Sequence, residues 1–363
     1  MTSTTRRTVP WRFAVPVAIA AAAAGAVTLG PAAFADDSDP GLPDLTAEQL
    51  VAKVAQSDTT AMSGTVRVDT DLGLPAMPGG SVSGPQALVS GTHRLQVAVD
   101  GVDRQRIGIM SDLAEYNIVH NGRDVWTYDS RAHAATHTTV EATASDVASF
   151  VPTTPQDAAR RLLALVGPTT DVRVAGTTTV AGHDAYELRF APKASGSLIA
   201  HATVSVDAET GVPLRVTVDT VAGGDPAVDI GFENVSYARP DASTFAFEPP
   251  TGASVKELPL DDDAAPATPP ATGGTGETRT APNTPEPLGD GWATVVELPT
   301  GGKDKDPTGL LGKLGKRVDG GTLVSTRLLN VLTTDSGRTL VGAVDAETLA
   351  RAAAAPRESV AGR

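Results

Sequence analysis

Residues 116–129 read YNIVHNGRDVWTYD and contain the strongest turn signal in the chain. The pair Asn121-Gly122 favours a two-residue β-turn, because asparagine and glycine both tolerate a positive φ. The flanking residues 115–120 and 124–129 are rich in the apolar, aromatic and β-branched side chains typical of strands. The segment therefore predicts an antiparallel hairpin with strands at 115–120 and 124–129.

Alternation of apolar and polar residues, the period of a strand with one buried face, continues on both sides of this hairpin. The alternating segments lie at 66–72, 95–99, 107–109, 172–180, 183–190, 204–206, 214–218 and 228–232. Many strands in succession, with helices inserted between groups of strands, are typical of an antiparallel α+β fold. The sequence therefore predicts a curved antiparallel sheet with helices laid against one face.

A first helix is predicted at residues 46–57, before the strands begin. Thr46 and Gln49 have the spacing of a capping box, in which each side chain accepts a hydrogen bond from the other residue's backbone N–H. Leu50 and Val54 lie about one turn apart and share a face. This apolar face is expected to pack against the sheet.

A second helix is predicted at residues 155–166, between two groups of strands. Pro155 suits the first turn of a helix, and Gly167 with the proline that follows it ends the helix. Leu162 and Val166 lie about one turn apart on its apolar face. This face is expected to pack against another element as well.

The first 35 residues are predicted to be a signal peptide. Three arginines precede an apolar stretch at residues 14–29, and Ala33 and Ala35 place small residues where a signal peptidase cleaves. Cleavage after Ala35 would give an exported, extracytoplasmic protein, secreted or held in the cell envelope. The alternative is an uncleaved membrane anchor, but the apolar stretch is shorter than the roughly 20 residues that span a bilayer.

Composition divides the rest of the chain into three parts. Residues 40–258 hold the strand series and form the predicted main domain. Residues 259–290 are predicted to be a disordered linker, because they are rich in proline, threonine, glycine and alanine and have few large apolar side chains. Residues 291–355 recover strand patterns and end in a short helix that starts at Asp345. This small α+β segment is expected to dock on the main domain, because it is short for an independent core.

Charge and cysteine content exclude several classes of protein. The 363 residues include 43 acidic and 29 basic side chains, a net charge of −14. A nucleic-acid partner is excluded, because phosphate recognition needs a basic surface. The chain has no cysteine, which excludes disulfides, cysteine-ligated zinc and attachment of a lipid through an N-terminal cysteine.

The sequence contains no recognisable enzyme or cofactor motif. It lacks the G-x4-G-K-[ST] phosphate loop and the G-x-S-x-G nucleophile elbow. His133 and His137 could share a strand face as two zinc ligands, but no third ligand is near, which favours two exposed histidines. Residues 261–263, three aspartates, lack the glycine turn and distal glutamate of a calcium loop, which favours a solvated linker. The prediction is a non-enzymatic protein with no cofactor and no metal.

Apolar side chains of two predicted strands are the candidates for a binding site. Trp126 and Tyr128 share one face of their strand, and Tyr186, Leu188 and Phe190 share one face of another. Two interpretations stay open on the residues alone: these side chains fill a closed core, or they line a cavity for an apolar ligand. The candidate cavity-lining residues are Leu50, Val54, Trp126, Tyr128, Leu162, Val166, Tyr186, Leu188 and Phe190.

Four segments resemble the LolA-like lipoprotein carriers and occur in the carriers' order. The first is the hairpin at residues 116–129, with an aromatic-rich second strand that ends in Tyr128-Asp129. The others are the Y-x-L…P-K segment at 185–193, the hairpin at 206–215, and residues 232–255, which end in F-x-F-x-P-P-x-G-x-x-V. The resemblance covers residues 42–257.

The resemblance implies an incomplete antiparallel barrel closed by helices, with an apolar cavity that holds acyl chains. Relatives include mycobacterial lipoproteins that carry lipids, and RseB/MucB, a periplasmic sensor that restrains cleavage of an anti-sigma factor. RseB has a smaller C-terminal domain, and residues 291–296 and 340–344 resemble the ends of that domain. The mycobacterial relatives are usually lipidated, whereas this chain has no cysteine to acylate.

Three functional hypotheses follow. The leading one is an extracytoplasmic, non-enzymatic carrier or chaperone that binds an acyl chain, a lipid or a lipoprotein. The alternative is an RseB-like sensor that binds an anti-sigma factor or another membrane protein such as a transporter. The third is a hydrolase without a recognisable motif, which lipid extraction with mass spectrometry would separate from a carrier.

Overall fold

The computed structural model describes residues 41–73, 84–111, 114–139, 169–258, 287–289, 291–298 and 315–355. The predicted signal peptide, the second predicted helix and all but three residues of the predicted linker lie outside the described residues. Within these ranges, no helix is long and apolar enough to cross a membrane.

In the described part of the chain, twelve strands form one large sheet. They are β1 (Ala61–Thr70), β2 (Gly91–Asp100), β3 (Arg104–Ser111), β4 (Ala114–Asn121), β5 (Asp124–Asp129), β6 (Ala134–Thr139), β7 (Thr170–Val180), β8 (His183–Pro192), β9 (Ile199–Asp207), β10 (Pro213–Thr220), β11 (Val228–Ser236) and β12 (Ser254–Glu257). Their spatial order is β12-β6-β5-β4-β3-β2-β1-β11-β10-β9-β8-β7. All neighbours are antiparallel except β12, which runs parallel to β6. The predicted α+β fold with a curved, unclosed antiparallel sheet is confirmed.

Eleven of these twelve strands form two meanders that meet at one junction, and the short strand β12 lies at the edge beside β6. Strands β1 to β6 lie side by side in chain order, and so do β7 to β11. The first meander joins the second through the pairing of β1 with β11, for example Val68 opposite Ile230. The edge strand β7 also contacts β11, four positions away, so the sheet curls strongly on that side.

The central hairpin forms as predicted, with its turn displaced by one residue. Asn121 still belongs to β4 and pairs with Asp124, so the two loop residues are Gly122 and Arg123. Gly122 has a φ of +63°, which suits the first position of a type II′ turn. The asparagine thus extends the strand, and the glycine alone supplies the left-handed conformation.

Strand register divides the side chains of the sheet between two faces. We call the face that carries Val97 on β2 and Leu188 on β8 the inner face, and the opposite face the outer face. Successive cross-strand pairs show that the inner face is continuous from β8 to β11: Leu188 lies opposite Val204, Val204 opposite Val216, and Val216 opposite Ile230.

The first helix, α1 (Ala47–Gln56), packs on the inner face. Its capping box is present: Thr46 N–H donates to Oε1 of Gln49 over 2.8 Å, and Gln49 N–H donates to Oγ1 of Thr46 over 3.2 Å. Leu50 and Val54 are buried in the same hydrophobic cluster as the inner-face residues of β8 and β9. A short 3-10 helix (Gly84–Val89) covers another part of the inner face, where Leu88 packs with residues of β1 to β3.

A second sheet combines, among the described residues, five strands of the C-terminal segment with one strand from the end of the predicted linker. Its strands are β13 (Pro287–Leu288), β14 (Val295–Leu298), β15 (Lys316–Val318), β16 (Gly321–Ser325), β17 (Asn330–Thr334) and β18 (Thr339–Gly342), in the order β13-β14-β18-β17-β16-β15. A 3-10 turn (Gly291–Ala293) precedes β14. Helix α2 (Ala346–Ala354) closes the segment, capped by the Asp345 side chain, which accepts from Thr348 N–H over 2.8 Å.

The C-terminal segment is joined to the large sheet by buried contacts and by backbone hydrogen bonds. Trp292 and Leu328 belong to the same core cluster as α1. The indole Nε1–H of Trp292 donates to Oγ1 of Thr170, at the start of β7, over 2.7 Å. The N–H of Leu198 donates to the carbonyl of Ala343 over 2.9 Å. The C-terminal segment therefore has a buried cluster of its own, which includes Val295, Leu332 and Leu349, and adds Trp292 and Leu328 to the core of the large sheet.

Arg327 adds a charged contact at the same joint. Its Nη1–H donates to Oδ2 of Asp71 over 2.6 Å, and its Nη2–H donates to the carbonyl oxygens of Gly223 and Asp225. Its backbone N–H donates to the carbonyl of Leu72 over 2.9 Å. One side chain thus bridges the chain after β1 and the loop between β10 and β11.

Candidate ligand-binding face

The middle of the inner face carries apolar side chains that are only half-buried. They occupy paired positions on neighbouring strands: Val97 lies opposite Ile107, and Ile107 opposite Ile118. We call this set the inner row; its members are Val66, Val97, Ile107, Ile118, Ile230 and Phe232. Apolar side chains that keep part of their surface in water, side by side on one face, form a surface suited to an apolar ligand.

Covered surface lies on both sides of the inner row. Towards β7, the α1 helix and the C-terminal segment bury the inner face. Towards the 3-10 helix, Leu88 covers Val68, Leu95 and Ile109. Ile230 packs against both covered clusters, so the inner row and the two clusters form one continuous apolar face.

Five of the nine residues predicted to line a cavity come together in the structure. Leu50 and Val54 of α1 and Tyr186, Leu188 and Phe190 of β8 belong to one buried cluster. The hydroxyl of Tyr186 donates to the carbonyl of Pro43 over 2.8 Å. Leu162 and Val166 lie outside the described residues.

Trp126 and Tyr128 lie on the outer face, apart from these five residues. Trp126 lies opposite Val119, and Val119 lies opposite Arg106. Arg106 is next to the inward-facing Ile107 in the strand, so Arg106, Val119 and Trp126 face outward. Both rings contact Phe247, with centroids 5.6 and 5.9 Å away. The segment after β11 therefore covers these aromatic residues from the side opposite to α1.

His137, one of the two histidines considered as zinc ligands, forms part of a three-strand bridge. Its Nδ1 lies 2.8 Å from Oε2 of Glu257 on β12, and its Nε2 lies 2.8 Å from Oδ1 of Asp124 on β5. Its ring stacks on Trp126 with centroids 4.2 Å apart. Burial alone would lower the pKa of His137, but the hydrogen bonds that its ring N–H groups donate to the two carboxylates raise the pKa above its ordinary value.

The other histidine of that pair, His133, is exposed and has a φ of +48°. Its Nδ1 lies 3.1 Å from the hydroxyl of Tyr128. The described ranges contain no cluster of three or more histidine, aspartate or glutamate side chains arranged to hold a metal ion.

Two buried polar residues of the inner face were not predicted from the sequence as part of a site. Gln105 on β3 and His120 on β4 lie directly opposite each other and are 2% and 1% exposed. The pattern contained a signal for both: Gln105 is in phase with the inward-facing Ile107, and His120 with Ile118. A polar residue at an inward-facing strand position is a departure from the alternation that predicts the core.

No family model matches the chain, and no curated protein matches it. Among solved structures, the Pseudomonas aeruginosa MucA/MucB complex aligns with 20% identity over 85% of this chain and 96% of that chain, at a TM-score of 0.44. A LolA superfamily protein from Nitrosomonas europaea aligns with 12% identity over 56% of this chain and 99% of that chain, at a TM-score of 0.22. A DUF1329 family protein from Desulfovibrio piger aligns with 16% identity over 55% and 98%, at a TM-score of 0.23.

The MucB and LolA superfamily structures belong to the group that the sequence motifs resemble. Every one of these TM-scores is below 0.5. These similarities therefore assign no function to this chain.

Proposed function

We propose that the protein is an extracytoplasmic, non-enzymatic carrier that binds an acyl chain, of a lipid or a lipoprotein, along the inner row. The observation that carries the proposal is the half-buried state of Val66, Val97, Ile107, Ile118 and their neighbours in the middle of an otherwise covered apolar face. A core residue is normally buried completely, and a surface strand normally presents polar groups to water. An apolar ligand would complete the burial of these side chains.

The magnitudes allow such binding. Burying one methylene group contributes about 0.8 kcal/mol, so a chain of about 16 carbons contributes on the order of 10 kcal/mol. Association itself costs roughly 4–15 kcal/mol in lost freedom of motion. A surplus remains where this cost lies in the lower part of its range, and it is modest, which suits a carrier that must also release its ligand.

The predicted signal peptide supports an extracytoplasmic location for this activity. Residues 1–35 have the charged, apolar and small-residue regions of such a peptide. The expected mature protein starts at Asp36. The proposed parts of the mature chain are the main domain at 40–258, the linker at 259–290 and the C-terminal segment at 291–355.

The test is native mass spectrometry of the purified protein, followed by extraction and identification of any bound lipid. Val97→Asn places a polar side chain in the inner row and should reduce bound lipid at least about tenfold, since an amide has to be desolvated next to the acyl chain. Gln96→Asn is the matched control, because Gln96 is the exposed outer-face neighbour on the same strand. A wild-type protein that binds no lipid, or equal retention by both variants, would refute the proposal.

A second candidate function is that of a regulator that binds a membrane protein such as an anti-sigma factor. The observation in its favour is the joint formed by Trp292, Leu328 and Arg327. This joint attaches to the large sheet a second sheet that lipid binding does not require. Co-purification of one defined membrane protein, abolished by changes on the six-stranded sheet with lipid content unchanged, would favour this function.

A further inference from the structure

The buried pair Gln105 and His120 has unused hydrogen-bonding capacity. Within the described part of the chain, neither the amide oxygen nor the amide nitrogen of Gln105 has a hydrogen-bond partner. The Nε2 of His120 lies 2.8 Å from the carbonyl oxygen of Gly122 and must donate to it, because a carbonyl only accepts. In the neutral imidazole, Nδ1 is then an acceptor, and it too has no partner.

The position of this pair connects it to the inner row. Gln105 is two residues from Ile107 on β3, and His120 is two residues from Ile118 on β4. Two residues along a strand span about 6.6 Å, and both residues of each pair face the same side. The next strand on either side of the pair contributes an apolar residue: Val99 on β2 lies opposite Gln105, and Val125 on β5 lies opposite His120. The pair is thus an isolated polar spot at one end of the inner row.

We propose that Gln105 and His120 bind the polar end of an amphiphile whose acyl chain lies along the inner row. This inference rests on the proposed carrier function and adds the chemical class of the ligand. Buried polar groups without partners are rare in folded proteins, and each such group calls for a specific explanation. A ligand that enters with its own polar group supplies the missing partners.

The hydrogen-bonding groups left unpaired define what that polar end must contain. The Gln105 amide offers N–H donors, whereas its oxygen and Nδ1 of His120 both require a donor. A hydroxyl or an N–H-bearing amide both donates and accepts, so it can serve both kinds of group. A simple ester only accepts and leaves both acceptors of the pair unpaired. A carboxylate also lacks a donor and must in addition be desolvated. The ligand class is therefore an acyl lipid with a hydroxyl or amide group near its chain.

The experiment compares two lipids with the same acyl chain. Native mass spectrometry of the full-length mature protein would measure retention of 1-monopalmitoylglycerol, which has free hydroxyls, and of methyl palmitate, which has none. Wild-type protein should retain the hydroxylated lipid at least about tenfold better. Gln105→Met removes the amide at similar volume and should bring the two lipids to within about threefold of each other. Gln96→Met makes the same chemical change at an exposed outer-face position and should preserve the preference.

Stability measurements separate recognition from a structural role. Gln105→Met should not lower the midpoint of thermal unfolding, since the amide has no partner to lose. His120→Phe provides a second variant if Gln105→Met does not fold. Equal retention of the two lipids by wild-type protein would overturn the inference and leave the carrier function standing. A Gln105→Met variant with a lower midpoint and an unchanged preference would also overturn it. Retention of neither lipid would refute the carrier function and the inference together.

Discussion

Tyr237 donates its phenolic hydrogen to Oδ2 of Asp207 over 2.7 Å, and so ties the chain after β11 to the end of β9. The other carboxylate oxygen of Asp207 accepts from the backbone N–H groups of Glu209 and Thr210, which shape the turn into β10. Burial alone would raise the pKa of Asp207, but these hydrogen bonds and the nearby His183 hold the pKa below its ordinary value. The carboxylate is thus buried, ionised and fully hydrogen-bonded.

Tyr237→Phe should lower the free energy of unfolding by about 1–3 kcal/mol, because a buried carboxylate loses one donor. Since the folded state depresses the pKa of Asp207, its contribution to stability is present above the unfolded pKa of about 3.9 and is lost as the pH falls through the lower folded value. Urea unfolding of both proteins at neutral and acidic pH measures this. Tyr128→Phe is the control, because the hydrogen bond recorded for its hydroxyl among the described residues is to the exposed His133. Equal effects of the two substitutions would contradict the prediction.

The bridge made by His137 predicts the opposite dependence on pH. A raised pKa in the folded state means that folding favours the protonated ring, so this contribution is fully present below the unfolded pKa of about 6.5. It is lost as the pH rises through the folded value. His137→Gln should therefore cost more stability at about pH 5.5 than at about pH 8.5. Denaturant midpoints at both pH values, with His133→Gln as the exposed control, test this; a pH-independent cost would count against it.

Arg327→Met should loosen the C-terminal segment by removing the side-chain hydrogen bonds to Asp71 and to two carbonyls. The exposed ion pair contributes about 0–1 kcal/mol, and the bonds to the carbonyl groups add about 1–3 kcal/mol. Hydrogen exchange of the Leu198 amide, which bonds across the joint, should become faster. Arg317→Met, which breaks a surface pair with Asp335, should leave it unchanged. Unaltered exchange in the first variant would show that Trp292 and Leu328 alone hold the joint.

Leu188→Ala should destabilise the protein by about 2–5 kcal/mol, because Leu188 is packed between α1 and its strand neighbours. Leu298→Ala on β14 is the control, since Leu298 is exposed and its loss should cost less than about 0.5 kcal/mol. Chemical unfolding measures both. A cost for Leu188→Ala below about 1 kcal/mol would show that the cluster around α1 tolerates a vacancy.

Local patterns were sufficient to predict the first helix and most strands of the large sheet, but not β6, β12 or the 3-10 helix at Gly84–Val89. The capping box of Thr46 and Gln49 fixes where α1 begins, and alternation placed strands on both sides of Gly122. Both features depend on residues within a few positions of one another. The assignment of Leu50, Val54 and Leu188 to one apolar cluster followed from the same local periodicity, because only one face of each element is apolar.

The features that could not be predicted from the sequence are those that depend on contacts between residues far apart in the chain. Trp126 and Leu188 lie on opposite faces, which follows from a chain of strand pairings that passes through β1 and β11, about 165 residues apart in sequence. A bulge there, between Thr65 and Val66, shifts the register. Arg327 gave no sequence signal, because three of its four acceptors are backbone carbonyls of remote loops.

The pairing of β1 with β11 gives the large sheet a modular construction. In each meander, strands that are neighbours in the sheet are also neighbours in the chain. Its contacts therefore join residues that are near each other in sequence, and such contacts form early in folding. Within the large sheet, two pairings of described strands join distant stretches of chain: β1 with β11, and the short edge strand β12 with β6. Both carry a loop-closure cost. Most of the large sheet thus consists of two meanders, each with its own strand pairs, joined along β1 and β11. A polypeptide divided between Thr139 and Thr170 would retain every strand pair within each meander, so the two pieces should reassemble by complementation.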